Sequence, residues 1–314
     1  MEPGPPGPGT RLVDALAWGR AYLESCGVPN AALEARVLLG EARGRDPAEY
    51  FAQSSEVLQR EEADRYRWLV GQRGDRRRPL QYVLGRVEFL SLPFVVREGV
   101  FIPRPETELL VEEVLRRLAP ARPWRIIDLG TGSGVVAVCL ALRLPRARVY
   151  ALDCSPAALE VAAENARRHG VAERVVLLQG DMLEPFFRAE GGRPGNGADA
   201  LACNPPYVAT GDFASLQPEV ARHEPREALD GGPEGLDFYR RLLPGAREAL
   251  ATGGILALEV GAGQAEAVSG MLEAGGFERL EVIPDYAGVP RVVVACSTGP
   301  QRSGRGAQTG GMRA

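Results

Sequence analysis

Lysine is missing from this 314-residue chain, and all 37 of its basic side chains are arginine. A Walker-type phosphate loop needs a lysine to reach the phosphates, so that class of nucleotide site is excluded. Histidine is almost missing as well, with only His169 and His223 present. The five cysteines (Cys26, Cys139, Cys154, Cys203, Cys296) are odd in number and scattered, without C-x-x-C spacing. Neither a disulfide framework nor a metal site is therefore expected, and Cys139, Cys203 and Cys296, in apolar runs, read as reduced core residues. No apolar run approaches the ~18 residues that a membrane span needs. Met1 to Thr10 is rich in Pro and Gly and lacks the basic region and apolar core of a signal peptide. The formal net charge of −4 gives no global attraction to nucleic acid. A cytoplasmic soluble protein with no membrane and no direct nucleic-acid partner is expected.

What is present is a repeating strand and helix pattern. Trp124 to Ile127, Arg148 to Leu152, Arg174 to Leu178 and Ala198 to Cys203 are short apolar runs that read as strands. They start at intervals of roughly 25 residues, as successive βα units of a parallel sheet do. Between them, Val135 to Leu144 and Ser155 to Arg168 read as helices, the second with Ser155 as cap and Pro156 in its first turn. Asp128, Asp153, Asp181 and Asn204 fall at four consecutive strand ends. In a parallel sheet that edge holds the ligands.

Two motifs give the edge its chemistry. Asp128-Leu129-Gly130-Thr131-Gly132-Ser133-Gly134 has glycines at alternate positions, where the backbone can turn tightly and approach a ligand. A dinucleotide loop places its third glycine at the next position, which here is Val135. The acid-x-Gly-x-Gly-x-Gly form instead resembles the S-adenosylmethionine (SAM) loop of class I methyltransferases. Asp153 is then placed to accept from both ribose hydroxyls, Asp181 from the adenine amino group, and Met182 to lie over the adenine ring. Plain alternatives stay open: a helix-capping acid for Asp153 and core packing for Met182. Asp128 is expected to order the loop. The second motif, Asn204-Pro205-Pro206-Tyr207, gives a strand a stiff exit. Two prolines remove two backbone donors, leaving nearby carbonyls free to accept. The Asn204 side-chain oxygen and such a carbonyl can grip both hydrogens of one planar amino group, with the Tyr207 ring as a flat face beside it. The pair of motifs suits methyl transfer to an NH2 on an sp2 centre, with Asn204, Pro205 and Tyr207 as the catalytic set.

The chain resembles the PrmC/HemK family, glutamine N5-methyltransferases of peptide chain release factors. The resemblance runs through Pro79 to Gly85, Phe101 to Glu108, Asn204 to Tyr207, and Glu224-Pro225 with Ala228-Leu229. It continues in Gly231-Gly232 with Gly235-Leu236, in Leu258 to Gly261 and in Asp285 to Val294. It implies a class I SAM-dependent methyltransferase fold: α/β, Rossmann-like, mostly parallel with a terminal antiparallel hairpin, preceded by a small helical domain. It implies Gly130, Thr131, Gly132, Ser133, Gly134, Asp153, Met182 and Asn204 as the SAM site, beside Asp181 as read above, with S-adenosylhomocysteine as product. Met182 stands where the family commonly has an aromatic residue. It implies Asn204, Pro205, Pro206, Tyr207 and Phe101 as the substrate side, the glutamine of a Gly-Gly-Gln motif in a class 1 release factor as substrate, and a monomer. Three alternatives differ in substrate or class: a ribosomal-protein glutamine methyltransferase, a DNA adenine-N6 methyltransferase, and a SAM-binding module without activity. The second would need a base-reading module and a basic face.

The expected organisation is a disordered stretch 1–10, a helical recognition domain 11–75, a β-hairpin linker 76–103, the methyltransferase domain 104–297 and a disordered tail 298–314. Asp46 to Glu49 reads as a capping box, Asn30 as the cap of a helix ending near Gly44, and Arg73 to Arg78 as a solvated linker. Leu280 to Ile283 and Arg291 to Cys296 should form the terminal hairpin. Arg104 and Glu106 are expected to pair. Glu224 to Leu229 reads either as a loop over the sheet edge or as part of the substrate side. His169 reads as a helix end, and His223, before Glu224-Pro225 in the segment after the clamp, as a candidate for proton handling.

Overall fold

Three helices, α1 (Leu12–Ser25), α2 (Ala31–Arg43) and α3 (Arg60–Gly74), carry apolar side chains at helical spacing and bury them against one another. Leu12, Ala15 and Leu23 of α1, Ala35, Leu38 and Leu39 of α2, and Ala63, Tyr66 and Val70 of α3 form one core. A fully buried side chain of this size contributes roughly 1.5–3 kcal/mol. Tyr66 fixes the packing: its hydroxyl donates to the Ala35 carbonyl at 3.2 Å. A Cβ on Gly19 would lie 1.9 Å from that hydroxyl, so the helix crossing requires glycine there.

The computed structural model describes residues 4–45, 56–191 and 197–299. The capping box read at Asp46 to Glu49 lies outside them, as do residues 300–314. The expected disorder of 1–10 does not hold for residues 4–10: Gly9 N donates to the Leu58 carbonyl at 2.9 Å, and Arg11 bridges to Val57. Thr298, placed in the tail, donates its hydroxyl to the Gly276 carbonyl at 2.9 Å. Asn30 precedes α2 as expected, but in a left-handed conformation (φ 57°) with no side-chain capping bond. Gly44 closes that helix, also left-handed.

Between the two domains the hairpin is shorter than expected. Leu80–Leu84 form a helix, α4, that follows Pro79 and stops at Gly85 (φ 71°). The antiparallel pair β1 (Arg86–Phe89) and β2 (Leu92–Val95) follows, turning at Leu90 and Ser91, both with positive φ.

The large domain is one seven-stranded sheet. β3 (Arg125–Leu129), β4 (Arg148–Asp153), β5 (Val175–Gln179), β6 (Ala198–Cys203) and β7 (Leu250–Glu259) run parallel. β8 (Phe277–Pro284) and β9 (Pro290–Ser297) form the antiparallel hairpin, and the spatial order is β5-β4-β3-β6-β7-β9-β8. The strands read as continuous apolar runs because both faces are covered. Ile126, Val149, Ala151, Ala200 and Ala257 pack on one side beneath α5 (Thr107–Arg117), α6 (Val135–Arg143) and α7 (Pro156–Arg168). Ile127, Tyr150, Leu152, Leu201 and Leu256 pack on the other, beneath α8 (Glu184–Ala189), α10 (Asp237–Ala249) and α11 (Ala265–Ala274). Ser155 caps α7, its hydroxyl accepting from Ala158 N at 3.3 Å. The chain winds outward from β3 through β4 to β5, then returns to lay β6 on the other side of β3. The reversal opens a crevice at the carboxyl ends of β3 and β6.

Candidate active site

Register alone brings the two sequence motifs together. Leu129 of β3 lies opposite Cys203 of β6, and Leu129 also lies opposite Leu152 of β4. The next residues, Gly130, Asn204 and Asp153, therefore emerge side by side. A cavity of about 1430 Å³ opens above them, lined among others by Gly130 to Ser133, Asp153, Asp181, Met182, Asn204 to Tyr207 and Phe101.

The glycine loop is built from backbone that only small residues permit. Gly130 and Gly132 have φ of 71° and 54°, and the amides of Gly130 and Thr131 both donate to the Leu152 carbonyl at 2.8 and 2.9 Å. Asp128 lies beneath the loop, 2% exposed, and accepts from the Thr131 hydroxyl at 2.6 Å and from Ala137 N at 3.0 Å. Burial pushes its carboxyl up to about 7 against those two donors. It orders the loop, as its sequence position suggested. Asp153 shares that work: one oxygen accepts from Gly132 N and the other from Ser155 N, each at 2.9 Å. Each oxygen keeps a second lone pair for a ligand. Ser133 is buried and belongs to the cavity lining, and among the described residues its hydroxyl has no partner. An orphaned hydroxyl, a glycine-built turn and a carboxylate at the next strand end suit an adenosyl cofactor.

Gly134 does not line the cavity, unlike its three neighbours upstream. With φ 83° it starts α6, and a Cβ there would meet the Ala162 Cβ at 2.9 Å, so this glycine serves the packing of α6 on α7. Asp181, at the cavity rim, is ion-paired to Arg241 at 2.7 Å. Met182 has φ 49°; it lines the cavity and also packs against the sheet core.

Asn204 is held in a definite orientation. Its Nδ2 donates to the Thr107 hydroxyl at 3.0 Å, which leaves Oδ1 for the cavity that the residue lines. Among the described residues no donor reaches the Pro205 carbonyl. Tyr207 lies over the end of the sheet, its hydroxyl 3.4 Å from Glu259 Oε1. Burial, then the nearby Glu259 charge, pushes its phenol up. Its carbonyl accepts from Gln264 Nε2 at 2.9 Å. The glycine motifs downstream make room for this turn. A Cβ on Gly231 would meet the Pro206 carbonyl at 2.8 Å, one on Gly235 the Tyr207 carbonyl at 2.3 Å, and one on Gly261 the Tyr207 ring at 3.1 Å.

The family model of the PrmC N-terminal domain matches residues 14–85, and a methyltransferase domain matches 123–217. A release factor glutamine methyltransferase of Moorella thermoacetica is 49% identical over 285 residues, covering 90% of this chain and 98% of that protein. One of Geobacter sulfurreducens is 45% identical, covering 88% and 94%. The chain belongs to the release factor glutamine methyltransferase family. The expected class I methyltransferase fold, mostly parallel with a terminal hairpin and a helical N-terminal domain, is the one present. The hMettl16 catalytic domain shares that fold at 16% identity, with a TM-score of 0.50 over 76% of this chain and 81% of that one.

Seen beside these relatives, several side chains take roles that sequence reading had not assigned. Arg104 pairs with Glu224 at 2.5 Å and not with Glu106, because Glu224 is buried and also accepts from Ile102 N at 3.2 Å. Arg104 then lies over the Phe101 ring, 4.8 Å from its centroid. Glu224 is thus a strut, while Pro225 to Leu229 line the cavity. Arg73 and Arg77 are not a solvated run. Both reach Glu219 of α9 (Pro218–His223), at 2.6 and 2.8 Å. His223 Nε2 contacts the Arg76 carbonyl at 2.9 Å, and His223 is not among the residues that line the cavity. His169 ends α7 against the Pro93 carbonyl, as a helix end should.

Proposed function

We propose that this protein transfers the methyl group of SAM to the side-chain amide nitrogen (N5) of the glutamine in the Gly-Gly-Gln motif of class 1 peptide chain release factors, acting as a cytoplasmic monomer without direct nucleic-acid contact. The observation that carries the proposal is the Asn204 amide, with its nitrogen committed to Thr107 and its oxygen left for the cavity, beside the unused Pro205 carbonyl. Two acceptors at one strand end suit the two hydrogens of a primary amide. The named activity of the relatives that cover nearly the whole chain supports the same substrate.

Gly130 to Ser133, Asp153, Asp181 and Met182 would hold SAM, which supplies a methyl group already activated on a sulfonium. An amide nitrogen is a poor nucleophile because its lone pair is delocalised into the carbonyl. Donation of both its hydrogens to Asn204 Oδ1 and the Pro205 carbonyl fixes the NH2 group and favours a more pyramidal nitrogen, with its lone pair directed at the methyl carbon. Tyr207 and Pro206 confine the amide and exclude water. SAM would supply the methyl group to that nitrogen and leave as the thioether S-adenosylhomocysteine, and the surplus proton of the nitrogen would pass to water as the methylated amide leaves the site. Positioning and electrostatic preorganisation do the work, and no covalent enzyme intermediate is needed.

The test is transfer of labelled methyl to purified release factor, ribosomal protein and duplex DNA, with the modified residue located by mass spectrometry. Methyl on the Gly-Gly-Gln glutamine is expected. Label only in the ribosomal protein would move the substrate, label in adenine would overturn the chemistry, and no transfer with intact SAM binding would leave a binding module.

A further inference from the structure

Among the described residues three arginines line the cavity: Arg104, Arg226 and Arg241. Arg226 and Arg241 pair with Asp230 and Asp181 near the surface, their side chains 62% and 57% exposed. Arg104 differs, with a side chain 28% exposed and a partner, Glu224, that is buried. Its Nη2 donates to Glu224 Oε1 at 2.5 Å, and its guanidinium lies over the Phe101 ring, 4.8 Å from the centroid. The backbone around it is pinned as well. Glu224 Oε2 accepts from Ile102 N at 3.2 Å, the Val100 carbonyl from the Tyr82 hydroxyl at 2.7 Å, and the Arg104 carbonyl from Thr107 N at 3.1 Å. A long side chain that is costly to order is thus ordered before a ligand arrives.

The guanidinium so fixed is not used up. It carries five N–H donors in a planar fork, and among the described residues it makes the one hydrogen bond to Glu224. Arg73, by contrast, commits all its side-chain nitrogens to Glu34 and Glu219. Thr107, one turn on from Arg104, is the residue that bonds Asn204, so Arg104 stands beside the amide clamp. The Glu224 carboxylate balances its charge. What Arg104 offers the cavity is therefore a set of directed donors without net charge, which suits a neutral carbonyl. The carbonyl of the reacting amide is the wrong acceptor, because a donor there would draw the nitrogen lone pair further into the amide. The two residues before the glutamine are glycines, whose acceptors are main-chain carbonyls alone. The flat Phe101 ring suits a main chain that carries no Cβ.

We propose that Arg104 is a substrate-binding residue that donates to a main-chain carbonyl beside the target glutamine, with Phe101 as its floor and Glu224 as the anchor that orients it. The proposal rests on the Gly-Gly-Gln reading above. It gives the buried Glu224 a purpose beyond joining two segments.

Arg104→Lys is the discriminating substitution, since it keeps a cation for Glu224 and removes the planar fork. The measurements are kcat and KM for methylation of purified release factor, SAM affinity by calorimetry, and the thermal midpoint. Expected is a KM roughly 10- to 100-fold higher, the scale of one hydrogen bond to a charged group. The kcat should stay near that of the wild type, because Asn204 still orients the amide, and SAM affinity and midpoint should stay near theirs. An unchanged KM overturns the proposal. So does a loss confined to kcat, which would put the guanidinium on the reacting amide, and so does a loss of SAM affinity, which would put it on the carboxylate of the cofactor. A KM that rises only together with a lowered midpoint also overturns it, leaving Arg104 a strut. Should Arg104→Lys fail to fold, Arg104→Gln, which retains a planar NH2 donor for Glu224, decides: an unchanged KM in that variant overturns the proposal. Failure of the underlying function reading looks different, because the wild-type enzyme would then yield no methylated glutamine in the release factor.

Discussion

Two polar side chains, at the ends of the two strands that flank β3, are proposed to divide the work of the site, and substitution should separate them. Asn204 faces the cavity with Oδ1 and makes its one described side-chain bond to Thr107. Asn204→Ala should lower the methylation rate by orders of magnitude while SAM still binds, because the glycine loop is anchored elsewhere. Asp153 bonds that loop at Gly132 N and the start of α7 at Ser155 N. Asp153→Ala should therefore weaken SAM binding at least tenfold, through the lost ribose acceptor and a loosened loop. Calorimetric SAM titration beside single-turnover methylation checks both. Unchanged turnover in the first variant, or unchanged cofactor affinity in the second, would refute the respective role. The residue scale is also where sequence reading fell short. Thr107 lies between the charged residues Glu106 and Glu108, and its partner Asn204 is 97 residues away along the chain. No local period or spacing announces such a partnership. Arg73 and Arg77 misled for the same reason: a run of like charges reads as solvated when its acid, Glu219, lies 146 and 142 residues away.

Elements were legible where burial wrote a pattern long enough to read. β6 was anticipated as 198–203, its observed extent, because a doubly covered strand is a continuous apolar run and Asn-Pro-Pro stops it. α4 was missed because its five residues complete barely more than one turn. The glycine loop was legible as a turn, but its last glycine had another purpose. Gly134 is left-handed at the start of α6 and lies where a Cβ would press on Ala162 of α7. Gly134→Ala should destabilise the fold by about 1–3 kcal/mol, from the positive φ and the helix contact together. Urea denaturation measures it. A midpoint equal to the wild type's would return Gly134 to the role of a cofactor-side glycine.

At the scale of the molecule, the helical domain does more than precede the catalytic one. Arg73, at the end of α3, is 4% exposed and donates to both Glu34 and Glu219, and Arg77 adds two bonds to Glu219 at 2.8 and 2.9 Å. Glu219 lies on α9, the short helix whose Val220 lines the cavity. One carboxylate thus joins the helical domain to a wall of the site. The Arg73 and Arg77 guanidiniums hold the Glu219 carboxyl below its usual range, against the burial that would raise it, so the pair is ionised at neutral pH. Removing Glu219 leaves Arg73 with Glu34 alone and takes the carboxylate from Arg77, at a cost of about 1–3 kcal/mol. Glu219→Ala should lower the unfolding midpoint accordingly. Because α9 borders the substrate side and not the glycine loop, the same variant should raise KM for the release factor more than it changes SAM affinity. Equal loss of both would mean that α9 supports the whole cavity. An unchanged midpoint would mean that Glu219 is a passive acceptor for two arginines that the helical domain places there for its own stability.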